Sequence, residues 1–151
     1  MEALPGFPIS FRRWGTRNMC DQCKDKAKAW LKGTRNVSFW QKQLQRLIAS
    51  QAFLQVVHTA HAELRVRERS ISDSDILEVI LHGDVIHVWN GEMLMFGYVK
   101  TAPKTYRPLH VVIRLDALSL IVITAYDPRT QAWKWSQDYR RKVCFLNKKH
   151  S

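Results

Sequence analysis

Val85-Ile86-His87-Val88-Trp89-Asn90-Gly91-Glu92-Met93-Leu94-Met95-Phe96-Gly97-Tyr98-Val99 is where this chain changes period. Upstream of it, apolar residues recur at helical spacing. Within it, two apolar runs flank Asn90-Gly91, a dipeptide that tolerates the positive φ angles of a type I′ turn, so the stretch reads as a β-hairpin. Downstream, Leu109–Leu115 and Leu120–Tyr126 form a second strand pair around Asp116-Ala117-Leu118-Ser119. Along the first of these, Leu109, Val111, Ile113 and Leu115 share one face, while His110, Val112 and Arg114 share the other. A three-residue loop at 116–118 sets His110 beside Thr124, and a slip of one residue sets it beside Ala125.

Working back from the hairpin, Ser72-Asp73-Ser74-Asp75 resembles a capping box with two acids at the positive end of a helix. Ile76, Leu77, Ile80 and Leu81 supply its buried stripe, and Gly83 is a natural stop. A shorter helix is expected from about Ala60 to Arg69, preceded by Phe53–His58, an apolar run compatible with a strand. Phe39, Trp40, Leu44, Leu47 and Ile48 recur at 3, 4 and 7 behind a cap at Asn36-Val37-Ser38, so another amphipathic helix is expected there. Residues 19–33 suit a basic helix ending at Gly33, and residues 1–18 an irregular arm. The expected class is α+β: N-terminal helices on an antiparallel sheet of about four strands. Three segments follow, a basic N-terminal part at 1–50, an α+β domain at 51–127 and a basic tail at 128–151.

Charge is distributed unevenly among them. Ten Lys/Arg face three Asp/Glu in residues 1–50, seven face eight in 51–126, and seven face two in 127–151, so the net +11 lies in the flanks. Such flanks concentrate a polyanion without reading its sequence, and nucleic acid is the commonest one. Trp14, Trp30, Trp40, Trp133 and Trp135 are interleaved with those cations, a stacking surface for unpaired bases or, more simply, part of one globule. If the tail is extended, Trp133 and Trp135 share a face. No run reaches the roughly 18 apolar residues of a membrane span. The N-terminus lacks the layout of a secretory signal, and three cysteines without framework spacing predict reduced thiols in a cytoplasmic protein. Cys20-x-x-Cys23 has the knuckle spacing of a zinc site that Cys144 and His150 could complete. Because those two lie about 120 residues away, the expectation is ordinary thiols, with no metal and no cofactor.

His61, Arg65 and Arg69 recur at i, i+4 and i+8, placing an imidazole and two guanidinium groups on one helical face. A solvated charged face is the simpler account of that spacing. The string His61-Ala62-x-x-Arg65-x-x-x-Arg69-x-Ile71-Ser72, the capped helix ending at Gly83, then Pro108-Leu109-His110-Val111-Val112 and Ile123-Thr124-Ala125-Tyr126, resembles a small bacterial family catalogued as a domain of unknown function. The resemblance covers about residues 53–127. Members are similar in layout to RelE- and BrnT-type toxins of toxin–antitoxin pairs, small ribonucleases with helices packed on an antiparallel sheet.

That resemblance implies RNA as substrate and an antitoxin protein as partner. Metal-independent cleavage needs a base for the ribose 2′-hydroxyl, an acid for the leaving 5′-oxygen, and cations for the phosphorane. His61 and His110 are the proton-transfer candidates; Arg65, Arg69 and Arg114 are the phosphate clamps, and Thr124 and Tyr126 add hydroxyl contacts. Each has a plainer role: His61 at a helix start, His110 as a hydrogen-bonded core histidine, the arginines in ion pairs, Tyr126 as a packed aromatic. His82 and His87 are assigned no role. The alternative is a non-catalytic nucleic-acid-binding or protein-interaction module on the same scaffold. A third is a basic accessory protein that docks on an acidic partner.

Overall fold

The computed structural model describes residues 21–50, 55–116 and 119–146; the expected arm at 1–18 lies outside them. Four α-helices and five strands are found there: α1 (Asp21–Lys32), α2 (Val37–Ser50), β1 (Gln55–His58), α3 (Ala60–Glu68), α4 (Asp73–His82), β2 (Asp84–Trp89), β3 (Glu92–Ala102), β4 (Thr105–Asp116) and β5 (Ser119–Tyr126). No helix among the described residues is long and apolar enough to cross a membrane. The chain divides into two compact units, one of residues 32–130 and one of residues 1–31 with 131–151.

The larger unit is α+β, and its sheet corrects the expectation of four antiparallel strands. It has five strands in the order β1-β5-β4-β3-β2. β1 runs parallel to β5, pairing Gln55–His58 with Ser119–Val122, so the sheet is mixed. The hairpin forms as read, with Asn90 at φ 51° and Gly91 at φ 79° joining β2 to β3. β3 and β4 extend beyond their apolar runs, because a second tight turn follows the pair Ala102↔Thr105, with Lys104 at φ 73°. Pro108 is tolerated in β4 because β5 pairs only as far as His110, so β4 has run past it.

One core serves this unit. Leu109, Val111, Ile113, Leu120, Val122, Met93 and Met95 are fully buried on one sheet face, against Ala62 and Val66 of α3 and Ile76, Val79 and Ile80 of α4. The capping box of α4 is present in both directions, Ser72 Oγ accepting from the Asp75 amide and Asp75 Oδ2 from the Ser72 amide. α3 ends in a Schellman arrangement. Ser70 takes φ 54°, its amide donates to Arg67 O, and that of buried Ile71 donates to Val66 O.

Gly83 does follow α4, but its φ of −84° is not the left-handed stop expected of it. Glycine is required for space. A Cβ there would stand 2.5 Å from Val79 O and 2.6 Å from Phe96 O, both backbone atoms. Gly83→Ala must therefore push α4 and β3 apart, at a cost of about 1–3 kcal/mol, the range for an overpacked core. The check is urea unfolding, with a lower midpoint expected at unchanged slope. An unchanged midpoint would remove the close-approach explanation.

In the smaller unit, α1 carries buried Cys23. The tail is not extended. Pro128–Lys134 forms a 3₁₀ stretch interrupted at Gln131, and Trp135 then bridges Lys142. This turning buries Trp135 and leaves Trp133 half-buried, so the shared-face arrangement does not arise. Lys142 Nζ lies 5.9 Å from the Trp135 ring centre and 5.0 Å from that of Phe145.

Candidate functional site

Register decides which candidates meet. Near the loop, Asp116 pairs with Ser119 and Ile113 with Val122; beyond a bulge, Val112 pairs with Thr124 and His110 with Tyr126. The extra residue is Ile123. Neither expected neighbour of His110 is the one found: the pairing of Asp116 with Ser119 moves the register one residue from that of a three-residue loop, and the irregularity inside β5 moves it one more. A continuous row results across three strands, Phe96–His110–Tyr126. The rings pack edge-on, with centroids 5.6 Å apart for Phe96–His110 and 5.2 Å for His110–Tyr126.

His110 is 0% exposed, and its Nδ1 lies 3.3 Å from Tyr126 Oη. Which of the two donates depends on the imidazole tautomer. Burial pushes the Tyr126 phenol well above its ordinary pKa, against the pull of the Arg69 charge. The hydroxyl is accordingly protonated at neutral pH and able to donate.

Arg69 arrives by a specific route. β1 ends at His58, so beyond Val122 the outer edge of β5 has no strand partner among the described residues. Its carbonyls are taken by groups flanking α3: Thr59 Oγ1 lies 3.4 Å from Ile123 O, and Arg69 Nη1 donates to Ala125 O at 2.7 Å. The same Nη1 is 3.5 Å from Thr124 Oγ1, and the guanidinium carbon is 6.0 Å from the Tyr126 ring centre. Burial, and then the neighbouring Arg65 charge, pull the Arg69 pKa down from an ordinary value far above neutrality. One arm of the guanidinium is anchored; Nε and Nη2 make no hydrogen bond among the described residues.

His110, Tyr126, Thr124 and Arg69 thus come together. The other three candidates are placed elsewhere. Arg114 pairs across the sheet with Glu92 at 3.8 Å, four positions along β4 from His110, about 13 Å at strand rise. Arg65 pairs with Glu68 at 3.1 Å, both half-exposed. His61 is exposed in the first turn of α3, about 12 Å along the helix from Arg69 by its rise, and no contact joins it to His110.

Three participants were not singled out from sequence. Phe96 completes the aromatic row. Arg107 donates to Arg69 O (3.3 Å) and Ser70 O (3.2 Å), occupying the carbonyl end of α3, and its Nε is 3.4 Å from Asp127 Oδ2. Asp127 also takes Arg129 through both carboxylate oxygens. The only hint was position, since Asp127 directly follows Tyr126. Among the described residues no group of three His, Cys, Asp or Glu could hold a metal ion. Of the zinc candidates, Cys20 and His150 lie outside the described residues.

Searches of the curated proteins and of the solved structures gave no match to the chain. Residues 58–127, from the end of β1 to Asp127, match the model of the family described as a domain of unknown function (DUF4258), and that segment is similar to it.

Proposed function

We propose that residues 58–127 form an RNA-directed, toxin-like domain of RelE or BrnT type, which cleaves the backbone without metal by 2′-hydroxyl attack on the phosphate. The observation that carries this is the half-anchored Arg69 guanidinium beside the Thr124 hydroxyl and the Tyr126 ring. A planar fork held at one arm presents its remaining donors without having to be ordered on binding. The neighbouring cation Arg65 adds to the attraction, and a phosphate relieves their mutual repulsion. Tyr126, kept protonated by burial, donates to the charge building on the phosphorane, and His110 fixes the direction of that hydroxyl. His61, the exposed imidazole of the same helix, is the proton-transfer group that solvent and substrate reach directly. RNA laid along α3 meets His61, Arg65 and Arg69 at successive turns, about 6 Å apart.

One observation favours a second reading, binding without cleavage. His110 is sealed from solvent and makes no contact with His61, so the two imidazoles do not form an acid–base pair. Incubation of single-stranded RNA with the full chain, with no added divalent cation, separates them. Products ending in 2′,3′-cyclic phosphate are the expected result. A salt-sensitive gel shift with intact RNA leaves the binding module standing and ends the nuclease. The antitoxin and the cytoplasmic setting belong to the same proposal; growth arrest on induction, relieved by co-expression of a neutralising protein, checks them.

A further inference from the structure

We propose that the open end of the β3–β4 ribbon is a stacking platform for unpaired bases of single-stranded RNA, with Tyr98 and Tyr106 as the stacking rings and Lys100 and Lys104 as phosphate contacts. The inference deepens the proposed function, resting on RNA as the ligand and not on its cleavage.

β3 and β4 run past both of their neighbours. β2 pairs with β3 only as far as Phe96, and β5 with β4 only as far as His110. Among the described residues, 97–109 therefore form a two-stranded ribbon whose faces differ. Val99 and Leu109 are buried on the core side, where Arg107 also reaches the end of α3. On the opposite face Tyr98 is 54% and Tyr106 56% exposed. Tyr106 stands directly across from Lys100, and Tyr98 is two residues before that lysine, so the three side chains share this face. Diagonal neighbours on paired strands lie about 7–8 Å apart, which makes the two phenols adjacent.

The platform is continuous with the candidate site. Tyr98 packs edge-on against Phe96 with ring centres 5.3 Å apart, and Phe96 begins the row that runs through His110 to Tyr126. A strand held by phosphate at Arg69 thus has bases a few nucleotides along within reach of the exposed rings.

Charge selects the occupant. Between Glu92 and Asp116 the sequence has Lys100, Lys104, Arg107 and Arg114 and not one acid. Arg107 answers Asp127 and Arg114 answers Glu92, whereas neither lysine has an ion pair among the described residues. Lysine is depleted at the centre of protein–protein interfaces, and here one stands beside both rings. Single-stranded RNA offers a polyanion with open π faces, which suits the lysines and the tyrosines together. In a duplex those faces are covered by neighbouring bases.

The test is binding of a fluorescent 2′-O-methylated single-stranded RNA to the full chain, read by anisotropy. This probe cannot undergo 2′-hydroxyl attack, so affinity is measured apart from cleavage. Tyr98→Ala and Tyr106→Ala should each weaken binding about 5- to 150-fold, the loss on removing one base–aromatic stack, with the salt dependence unchanged. Tyr106→Phe keeps the ring and should bind as wild type does. Lys100→Ala should instead lower the slope of log affinity against log salt by about 0.7. An abasic strand of the same length should bind wild type and Tyr106→Ala alike. The Tyr106 side chain makes no hydrogen bond or ring contact among the described residues, so its variant keeps the test sound where Tyr98→Ala disturbs Phe96. Unchanged affinity in Tyr106→Ala overturns the platform and leaves RNA standing as the ligand. Weakened binding in the variants, with unmodified RNA left intact by wild type, supports the platform and ends the nuclease. A wild-type dimer that either alanine variant dissolves, at unchanged RNA affinity, overturns the platform and marks this face as a contact between copies. If wild type binds no single-stranded RNA, both readings fall.

Discussion

Arg69→Ala is expected to lower the proposed RNA cleavage about 100- to 1000-fold, the loss typical when one preorganised donor at a developing oxyanion is removed. The size follows from the half-anchored geometry. Nη1 is fixed to Ala125 O at 2.7 Å, so the fork is already oriented before substrate arrives. Alanine removes both charge and orientation. Arg69→Lys restores a charge but not the fork, and recovers only part of the rate. The structural role of Arg69 predicts a different result. The Ala125 carbonyl it covers lies on a strand edge that water can reach in the variant, so stability falls by only about 1 kcal/mol. Cleavage measured per folded molecule, with folding followed by thermal melts in parallel, separates the two. If that specific rate is unchanged in Arg69→Ala, the guanidinium is an edge cap and the phosphate clamp is wrong.

The parts of this fold written in local chemistry were legible in advance. Asn90-Gly91 fixes a turn, Ser72 and Asp75 cap a helix reciprocally, and Leu109, Val111 and Ile113 declare a buried face; all three depend on residues close in sequence. The parallel contact of β1 with β5 depends on residues 64 apart, and four residues of strand carry no mark of the neighbour they choose. The candidate site was lost in the same way. Alternation put His110 on one face correctly, but the pairing of Asp116 with Ser119 and then the bulge at Ile123, which a run of β-branched residues does not announce, each moved the register by one and replaced Thr124 with Tyr126 as its partner. Helical periodicity put His61, Arg65 and Arg69 on one face, yet it did not tell which of them the sheet would hold. Only Arg69 is beyond the end of β1, where an unpaired carbonyl of β5 is available to hold it.

Asp127→Asn destabilises the protein by about 3 kcal/mol, near the lower end for removing one partner of a buried ion pair. Asp127 is only 7% exposed and answers two arginines, with Arg129 Nη2 at 2.8 Å and Arg107 Nε at 3.4 Å. Arg107 Nε is buried and has no hydrogen-bond partner among the described residues, so this carboxylate charge is what compensates it. The half-exposed Arg129 can turn to water, which keeps the cost from reaching the top of that range. Burial raises the Asp127 pKa, but hydrogen bonds from Arg129 and the charges of Arg129 and Arg107 more than offset it, leaving the pKa below the ordinary 3.8. A carboxylate with a depressed folded pKa stabilises fully above its unfolded value, and that contribution is lost as pH falls through the folded one. Wild-type unfolding free energy should therefore drop below about pH 4, and Asp127→Asn should lack that part of the decline. The consequence extends to the site, since Arg107 also occupies the carbonyls of Arg69 and Ser70 at the end of α3. Releasing Arg107 loosens the turn that aims Arg69 at Thr124 and Tyr126, so the variant should also lose cleavage at temperatures where it remains folded. Equal stability of variant and wild type at pH 7 would show that Arg107 finds its compensation elsewhere, and that the carboxylate does not hold the helix end.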